Sequence, residues 1–391
     1  EPEGTTVKYG TEEGQYTLDA APAYTDAGTY TVYYEVTKQN YTTVTGSATV
    51  TINKADPAAS DFFFTAPASL TYDDTEKTAT VIPAQGVTGM GGVTVKHYSD
   101  EACTNEVEPT NAGTYYVGIT VAEGDNYNAT TSVLHGDSWS FTINKASITP
   151  HVSIEDWTYG KTANNPSVTG NPGNGKVTYT YAVKGNSRYS KTVPTAAGDY
   201  TVKATVAATA NYNGGEAAAD FTIAKAEITI TADDKSSKYG EDIAELTYTV
   251  SGDYVTDDEL GVTLNTTATK TSNVGEYLIT VGWNNNPNYT ATLTNGKYTI
   301  TKTDLAVTAA DYSGVYDGEA HGITVNVGSS DAVVYYGETE LTAENYSTAG
   351  SNTAPTYTNA GEYTVYFYVI SGNYAPDTVS GSKTVTISKA D

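Results

Sequence analysis

The sequence predicts an all-β fold: a tandem array of β-sandwich modules forming an elongated rod. Three observations predict it. A short motif, a small-residue turn ending in Gly-x-Tyr, recurs five times, with glycines at 28, 113, 198, 275 and 361. Each copy leads into a run in which apolar and polar residues alternate with period two, the mark of a strand with one buried face. The composition holds 36 Gly and 34 Tyr with only 38% apolar residues, which suits short strands and turns rather than helices.

The turns read Asp26-Ala27-Gly28-Thr29-Tyr30, Asn111-Ala112-Gly113-Thr114-Tyr115, Ala196-Ala197-Gly198-Asp199-Tyr200, Asn273-Val274-Gly275-Glu276-Tyr277 and Asn359-Ala360-Gly361-Glu362-Tyr363. In immunoglobulin-like sandwiches a tyrosine near the start of the sixth strand hydrogen-bonds back to the preceding corner. Gly permits the bend before it. Gly28 with Tyr30, Gly113 with Tyr115, Gly198 with Tyr200, Gly275 with Tyr277 and Gly361 with Tyr363 are read as that structural corner. Beyond it, Tyr30, Val32, Tyr34 and Val36 share one face, as do Tyr363, Val365, Phe367 and Val369 in the last copy. A second anchor follows: Asn40-Tyr41, Asn126-Tyr127, Asn211-Tyr212, Asn288-Tyr289 and Asn373-Tyr374. It reads as the crossing into the last strand, with Tyr covering one end of the core. Alternating closing strands then end near Lys54-Ala55, Lys145-Ala146, Lys225-Ala226, Lys302-Thr303 and Lys389-Ala390. Tyr72, Tyr159, Tyr239 and Tyr316 mark one shared position in the less regular early strands. No segment sustains a period of 3.6, so almost no helix is expected.

This spacing divides the chain into a partial sandwich at 1-55, whose N-terminal strands are missing, and complete sandwiches at 56-146, 147-226, 227-303 and 304-391. Junctions such as Lys225-Ala226-Glu227-Ile228 hold no Gly/Ser or Pro-rich linker, so the rod should be stiff. In the partial module, Val7-Lys8-Tyr9-Gly10 matches Val334-Tyr335-Tyr336-Gly337, midway through the last one. Either the chain is a piece of a longer array, or another chain donates the absent strands.

Several functions are disfavoured. The net charge of -26 opposes binding to nucleic acid and to anionic lipid. No apolar stretch reaches the length of a membrane span, so no membrane insertion is expected in this segment. The single cysteine, Cys103, excludes an intrachain disulfide, and a catalytic thiol would need a histidine held beside it; His97 is near only in sequence. The four histidines are scattered, and no catalytic set can be assembled, so the chain reads as no enzyme, with no catalytic residues and no cofactor. The acidic clusters Asp73-Asp74, Asp233-Asp234 and Asp257-Asp258-Glu259 lack an EF-hand spacing and read as solvated turns, with no metal site. The repeated lysines raise the idea of internal isopeptide bonds, but their place at module exits favours exposure. Of the three tryptophans, Trp139 and Trp283 fall on buried strand positions. Trp157, beside Glu155 and Asp156 and matching Val315 of another repeat, reads as core too; if an aromatic platform for glycan exists, it is Trp157 with Tyr159.

Taken together, the Ala-Gly-x-Tyr turns, the Asn-Tyr pairs, the Ile-x-Lys-Ala endings and Tyr316-Asp317-Gly318 resemble the MBG and YDG repeat modules of bacterial (Gram-positive) cell-surface proteins and adhesins. The resemblance implies Ig-like modules at an extracellular position, on the cell surface or in the cell wall. It implies a structural stalk or spacer that projects a binding region from the cell, and it brings no catalytic residue. Two alternatives stand beside it: modules that bind host or environmental glycan or protein, and a subunit that self-assembles into a fibre with copies of itself by strand donation.

Overall fold

A computed structural model describes residues 3–391. Strands hold 49% of the chain and helix 2%, so the all-β expectation holds. The described helical residues form a 3₁₀ turn at Ala59–Asp61 and one α-turn at Tyr346–Ala349.

One antiparallel sheet recurs five times. Its centre is the corner strand that starts at the repeated glycine: Gly28–Thr37, Gly113–Val121, Gly198–Val206, Gly275–Trp283 and Gly361–Ile370. On one side lies an outer strand: Thr6–Gly10, Val93–Tyr98, Val177–Val183, Val262–Thr266 and Val333–Gly337. On the other lies the closing strand: Val44–Ile52, Leu134–Ile143, Gly215–Ala224, Gly296–Thr301 and Thr378–Ser388. The register is the same each time. The corner glycine stands opposite an isoleucine: Ile52, Ile143, Ile223, Ile300 and Ile387. The match between Val7–Gly10 and Val334–Gly337 is also one of register, since Tyr9 pairs with Tyr34 as Tyr336 pairs with Phe367.

From the second repeat onward a further strand adds to the free edge of the closing strand, running parallel to it. It pairs Trp157 with Ile223, Lys235 with Tyr298 and Tyr312 with Val385, and shrinks to a single bridge, Thr71 with Asn144, in the second repeat. A smaller sheet faces this one. Phe62–Thr65 pairs with Thr80–Pro83, His151–Ser153 with Ser167–Thr169, Ala226–Ala232 with Tyr248–Gly252, and Val307–Ala310 with Thr324–Val327. Alternation puts every second side chain between the layers. Val117, Ile119, Phe141 and Ile143 form one such core with Phe62 and Val81; Val365, Phe367, Val385 and Ile387 form another with Leu305, Val307, Val325 and Val327. Fully burying an aliphatic side chain is worth about 1.5–3 kcal/mol, so four or five per repeat make a modest core.

The first repeat departs from this plan. Among the described residues, positions 3–55 form three strands only, with no parallel fourth strand and no facing sheet. Val32 is the buried member of its strands, while Val44 and Val50 are 57% and 39% exposed on the same side.

The accessible surface, 22,915 Å², shows how the cores are distributed. One compact protein of this mass would expose about 15,000 Å², and five separate bodies of a fifth the mass about 23,000 Å². The chain buries surface as a row of small bodies does.

Cys103 is buried at a left-handed backbone position, and burial pushes its thiol up, away from the reactive thiolate. His97 is buried against Phe141; its Nε2 accepts the Ala79 amide at 3.2 Å, and burial holds the ring below the usual histidine range. Each has a packing role.

Candidate functional site: the junctions between repeats

The corner tyrosines fold back on their own turns. The hydroxyl donates to the carbonyl four residues earlier in every copy: Tyr30 to Asp26 at 2.9 Å, Tyr115 to Asn111 at 2.8 Å, Tyr200 to Ala196 at 3.0 Å, Tyr277 to Asn273 at 2.7 Å and Tyr363 to Asn359 at 3.1 Å. The ring lies over the glycine on the way. A Cβ on Gly28 or Gly361 would come within 3.1 Å of the phenol oxygen and press on the ring, while on Gly113 or Gly275 it would meet nothing nearer than 4.0 Å.

The corner so formed is gripped by the next repeat. The Asn126 side chain accepts from the Ala27 amide at 2.7 Å and donates to Asp26 at 2.8 Å. Asn211 accepts from Ala112 at 2.9 Å and donates to Asn111 at 2.8 Å. Asn288 accepts from Ala197 at 2.9 Å. Asn373 accepts from Val274 at 2.9 Å and donates to Asn273 at 3.1 Å. These are the asparagines of the Asn-Tyr pairs. Their backbone carbonyls hold the connecting segment as well, accepting from Ala55, Ala146, Ala226 and Thr303 at 2.9, 2.9, 3.0 and 3.2 Å. One residue thus ties the preceding corner and the incoming chain to the same point. Where a flexible linker would let the repeats swing, the connecting residues here pair parallel to the Asn-Tyr strand, Ala226 opposite Tyr289 and Thr303 opposite Tyr374.

The tyrosine of each pair completes the contact. Tyr212 meets Tyr72 edge to face at 5.3 Å between centroids, Tyr289 meets Tyr159 at 5.4 Å, and Tyr374 meets Tyr239 at 5.6 Å. Such pairs prefer this geometry because a positive ring edge faces a negative ring face. The exit lysines reach the same way: Lys54 pairs with Glu123, Lys145 donates to the Thr209 carbonyl at 2.7 Å, and Lys302 pairs with Asp377. Partly exposed ion pairs of this kind add little energy, about 0–1 kcal/mol each.

Around Tyr289 the junction becomes a small polar centre. Its hydroxyl and that of Tyr159 both donate to the Asp258 carboxylate, and the Val255 amide donates to the Tyr289 oxygen at 3.1 Å. Burial, then Asp258, pushes the Tyr289 phenol far up; Asp258 chiefly does the same to Tyr159.

The two aromatic residues proposed from sequence as a glycan platform are not side by side on a surface. Trp157 is 9% exposed and stacks on Phe221 at 5.0 Å, inside a core with Tyr181 and Ile223. Tyr159 packs against that same core and against the core of the next repeat, its ring on Tyr289 and its hydroxyl on Asp258. Of the acidic clusters, Asp73 pairs with Lys77, which holds its carboxyl at about 2, Asp234 accepts the Lys297 amide at 2.7 Å, and Asp258 takes the two phenols. Among the described residues no group of three or more His, Cys, Asp or Glu side chains could hold a metal ion.

Fold and junctions together define a chain of tandem β-sandwich repeats with tyrosine corners. Residues 151–227 match the family described as MBG domain, and residues 228–299 match MBG domain (YGX type). No curated protein matches the sequence. Among solved structures, the chain is similar to the extracellular cadherin domains 1–5 of protocadherin gamma B2, at 10% identity and a TM-score of 0.28, over 93% of this chain and 86% of that one. It is also similar to mouse cadherin-23 EC22-24, at 14% identity and a TM-score of 0.21, over 62% of this chain and 100% of that one. A third is a SusE-like surface-located polysaccharide binding protein from the Bacteroides thetaiotaomicron heparin utilisation locus, at 11% identity and a TM-score of 0.16, over 99% and 68% of the two chains. No helix among the described residues is long and apolar enough to cross a membrane.

Proposed function

We propose that this chain is a non-catalytic, extracellular spacer of a bacterial surface protein. Its modules, a partial one at 1–55 and sandwiches at 56–146, 147–226, 227–303 and 304–391, stand end to end and hold a binding region away from the cell. The observation that carries this reading is the junction asparagine, which repeats at four successive boundaries, its side chain on the preceding corner's amide and its backbone carbonyl on the connecting residue. A chain that bound ligand through its individual modules would have no need to fix their relative orientation four times over. A spacer does, because reach per residue depends on stiffness. The surface area of a row of separate small bodies supports the same reading, as does a net charge of -26, which keeps neighbouring stalks apart.

The test is height. The chain is displayed on a bacterial surface with a fluorescent tag at its outer end, and the axial distance from the cell envelope is measured. Deleting residues 147–226 is expected to lower the tag by about 30–35 Å, the rise of a ten-residue strand. An unchanged height, with retention of the isolated chain on polysaccharide or host matrix, would favour ligand-binding modules instead.

A further inference from the structure

The third repeat reverses the charge of the chain. Residues 147–226 hold seven Lys and Arg against five Asp and Glu, while every other repeat has an acidic excess and the whole chain holds 20 against 46. Five of the seven lie along the outer strand Val177–Val183, the loop that leaves it and the corner strand Gly198–Val206. Lys176 precedes the outer strand, Lys184, Arg188 and Lys191 lie in the loop, and the Lys203 ammonium on the corner strand sits 5.3 Å from the centre of the Tyr189 ring. The nearby acids are already engaged: Asp220 by Lys184 at 3.0 Å, Glu216 by Lys203 at 3.2 Å, and Asp199 by the Thr222 hydroxyl at 2.8 Å. Among the described residues Arg188 and Lys191 pair with no carboxylate.

The same loop borders a cavity of about 350 Å³. Arg188 is the one charged residue that lines it, and it is the only arginine of the chain. Val183, Val193 and Pro194 give it an apolar wall, and both valines are left exposed. Covering them removes apolar surface from water. Tyr181 also lines the cavity; it is 7% exposed, with its ring edge-on to Phe221 in the core. It holds the place of His97 in the second repeat, since each stands opposite the valine four residues past the corner glycine, Val202 or Val117. His97 satisfies a ring nitrogen on the Ala79 amide, whereas the Tyr181 hydroxyl has no hydrogen-bond partner among the described residues. A buried polar group left so costs about 1–3 kcal/mol. Burial pushes the phenol up, which keeps it a proton donor.

We infer that this cavity binds one uronate residue of an anionic polysaccharide. The Arg188 guanidinium takes the sugar carboxylate through its two-pronged fork, the valine and proline wall takes the apolar face of the ring, and the Tyr181 hydroxyl donates to a sugar oxygen. The volume stands near the lower end of small-ligand sites, about 300–1,000 Å³, which suits a sugar ring. An acidic peptide is the poorer fit, because an extended peptide binds a sheet edge by adding a strand. Beside the cavity that edge is taken: Ser190 and Tyr181 exchange both backbone hydrogen bonds, at 2.7 and 2.8 Å. Lys184 and Lys191 in the same loop draw in a polyanion that the acidic repeats repel. The site is independent of the spacer role, since a stalk can carry one sugar site on its flank.

The test is calorimetric titration of the whole chain, at physiological ionic strength, with trigalacturonate and with triglucuronate. At least one of the two is expected to bind at one site per chain. The neutral trimers of galactose and glucose are expected to bind roughly tenfold or more weakly, the loss of one charge-assisted pair. Arg188→Gln is expected to weaken uronate binding by the same factor with circular dichroism unchanged, because the side chain is exposed on a loop. Tyr181→Phe keeps the ring on Phe221 and is expected to weaken binding about fivefold. Lys176→Gln, at the other end of the outer strand, is expected to leave the affinity within about twofold. The inference is overturned if neither uronate binds, if the neutral trimers bind equally, or if Arg188→Gln keeps full affinity. Equal loss in Lys176→Gln would mean attraction to net charge alone and overturn it, as would equal binding by hexaglutamate, which would make any polyanion the ligand.

Discussion

Tyr289→Ala is expected to lower the unfolding temperature of residues 227–303 by about 15–30 °C, from a loss of about 3–5 kcal/mol. The side chain is 1% exposed and is packed among Ala226, Ile228, Ile230 and Leu260. Removing it leaves a cavity that these residues cannot close, because three of them belong to a strand, Ala226–Ala232, pinned on both sides by Tyr248–Gly252 and Tyr289–Thr294. The change also orphans the Val255 amide and takes one of two phenols from Asp258. The measurement is exchange along the corner strands under rising denaturant. Gly275–Trp283 should lose protection early while Gly361–Ile370 keeps its own. Loss of both together would mean that the repeats unfold as one body.

The second large effect is on shape. A chain carrying Asn126→Ala, Asn211→Ala, Asn288→Ala and Asn373→Ala keeps every core residue but loses the side-chain grip on the first four corners. Each substitution leaves a partly buried amide, at Ala27, Ala112, Ala197 or Val274, without its acceptor. The cost is about 1–3 kcal/mol per junction. The repeats are expected to fold as before, with unchanged circular dichroism, while their relative orientations loosen. In small-angle scattering the radius of gyration should fall by about a fifth as the connections pass into the flexible regime. An unchanged profile would assign stiffness to the parallel pairing of the connecting residues and the tyrosine contacts alone.

The corner was legible in the sequence because its parts are adjacent. Gly, x and Tyr recur together, and the hydroxyl's acceptor lies four residues back. Strand faces were legible for a similar reason, since period two needs no knowledge of the partner strand. The asparagine was legible only in part. Its recurrence beside Tyr marked it as structural, but its acceptor role is toward a turn some 99 residues earlier, and spacing within one repeat does not reveal a contact between two. The partners of Tyr159 were hidden for the same cause: Asp258 and Tyr289 lie in the following repeat. Trp157 was legible as core by analogy with Val315 of another repeat; its indole turns inward onto Phe221, and its neighbour Asp156 takes the Thr222 amide at 2.7 Å.

The central claim is that four equivalent junctions hold the repeats in line. Small-angle scattering on the isolated chain tests it most directly. Five bodies each about 33 Å long, stacked end to end, give a radius of gyration of about 45–50 Å. A chain of 391 residues collapsed into one globule would give about 21 Å, and a value near that would contradict the account.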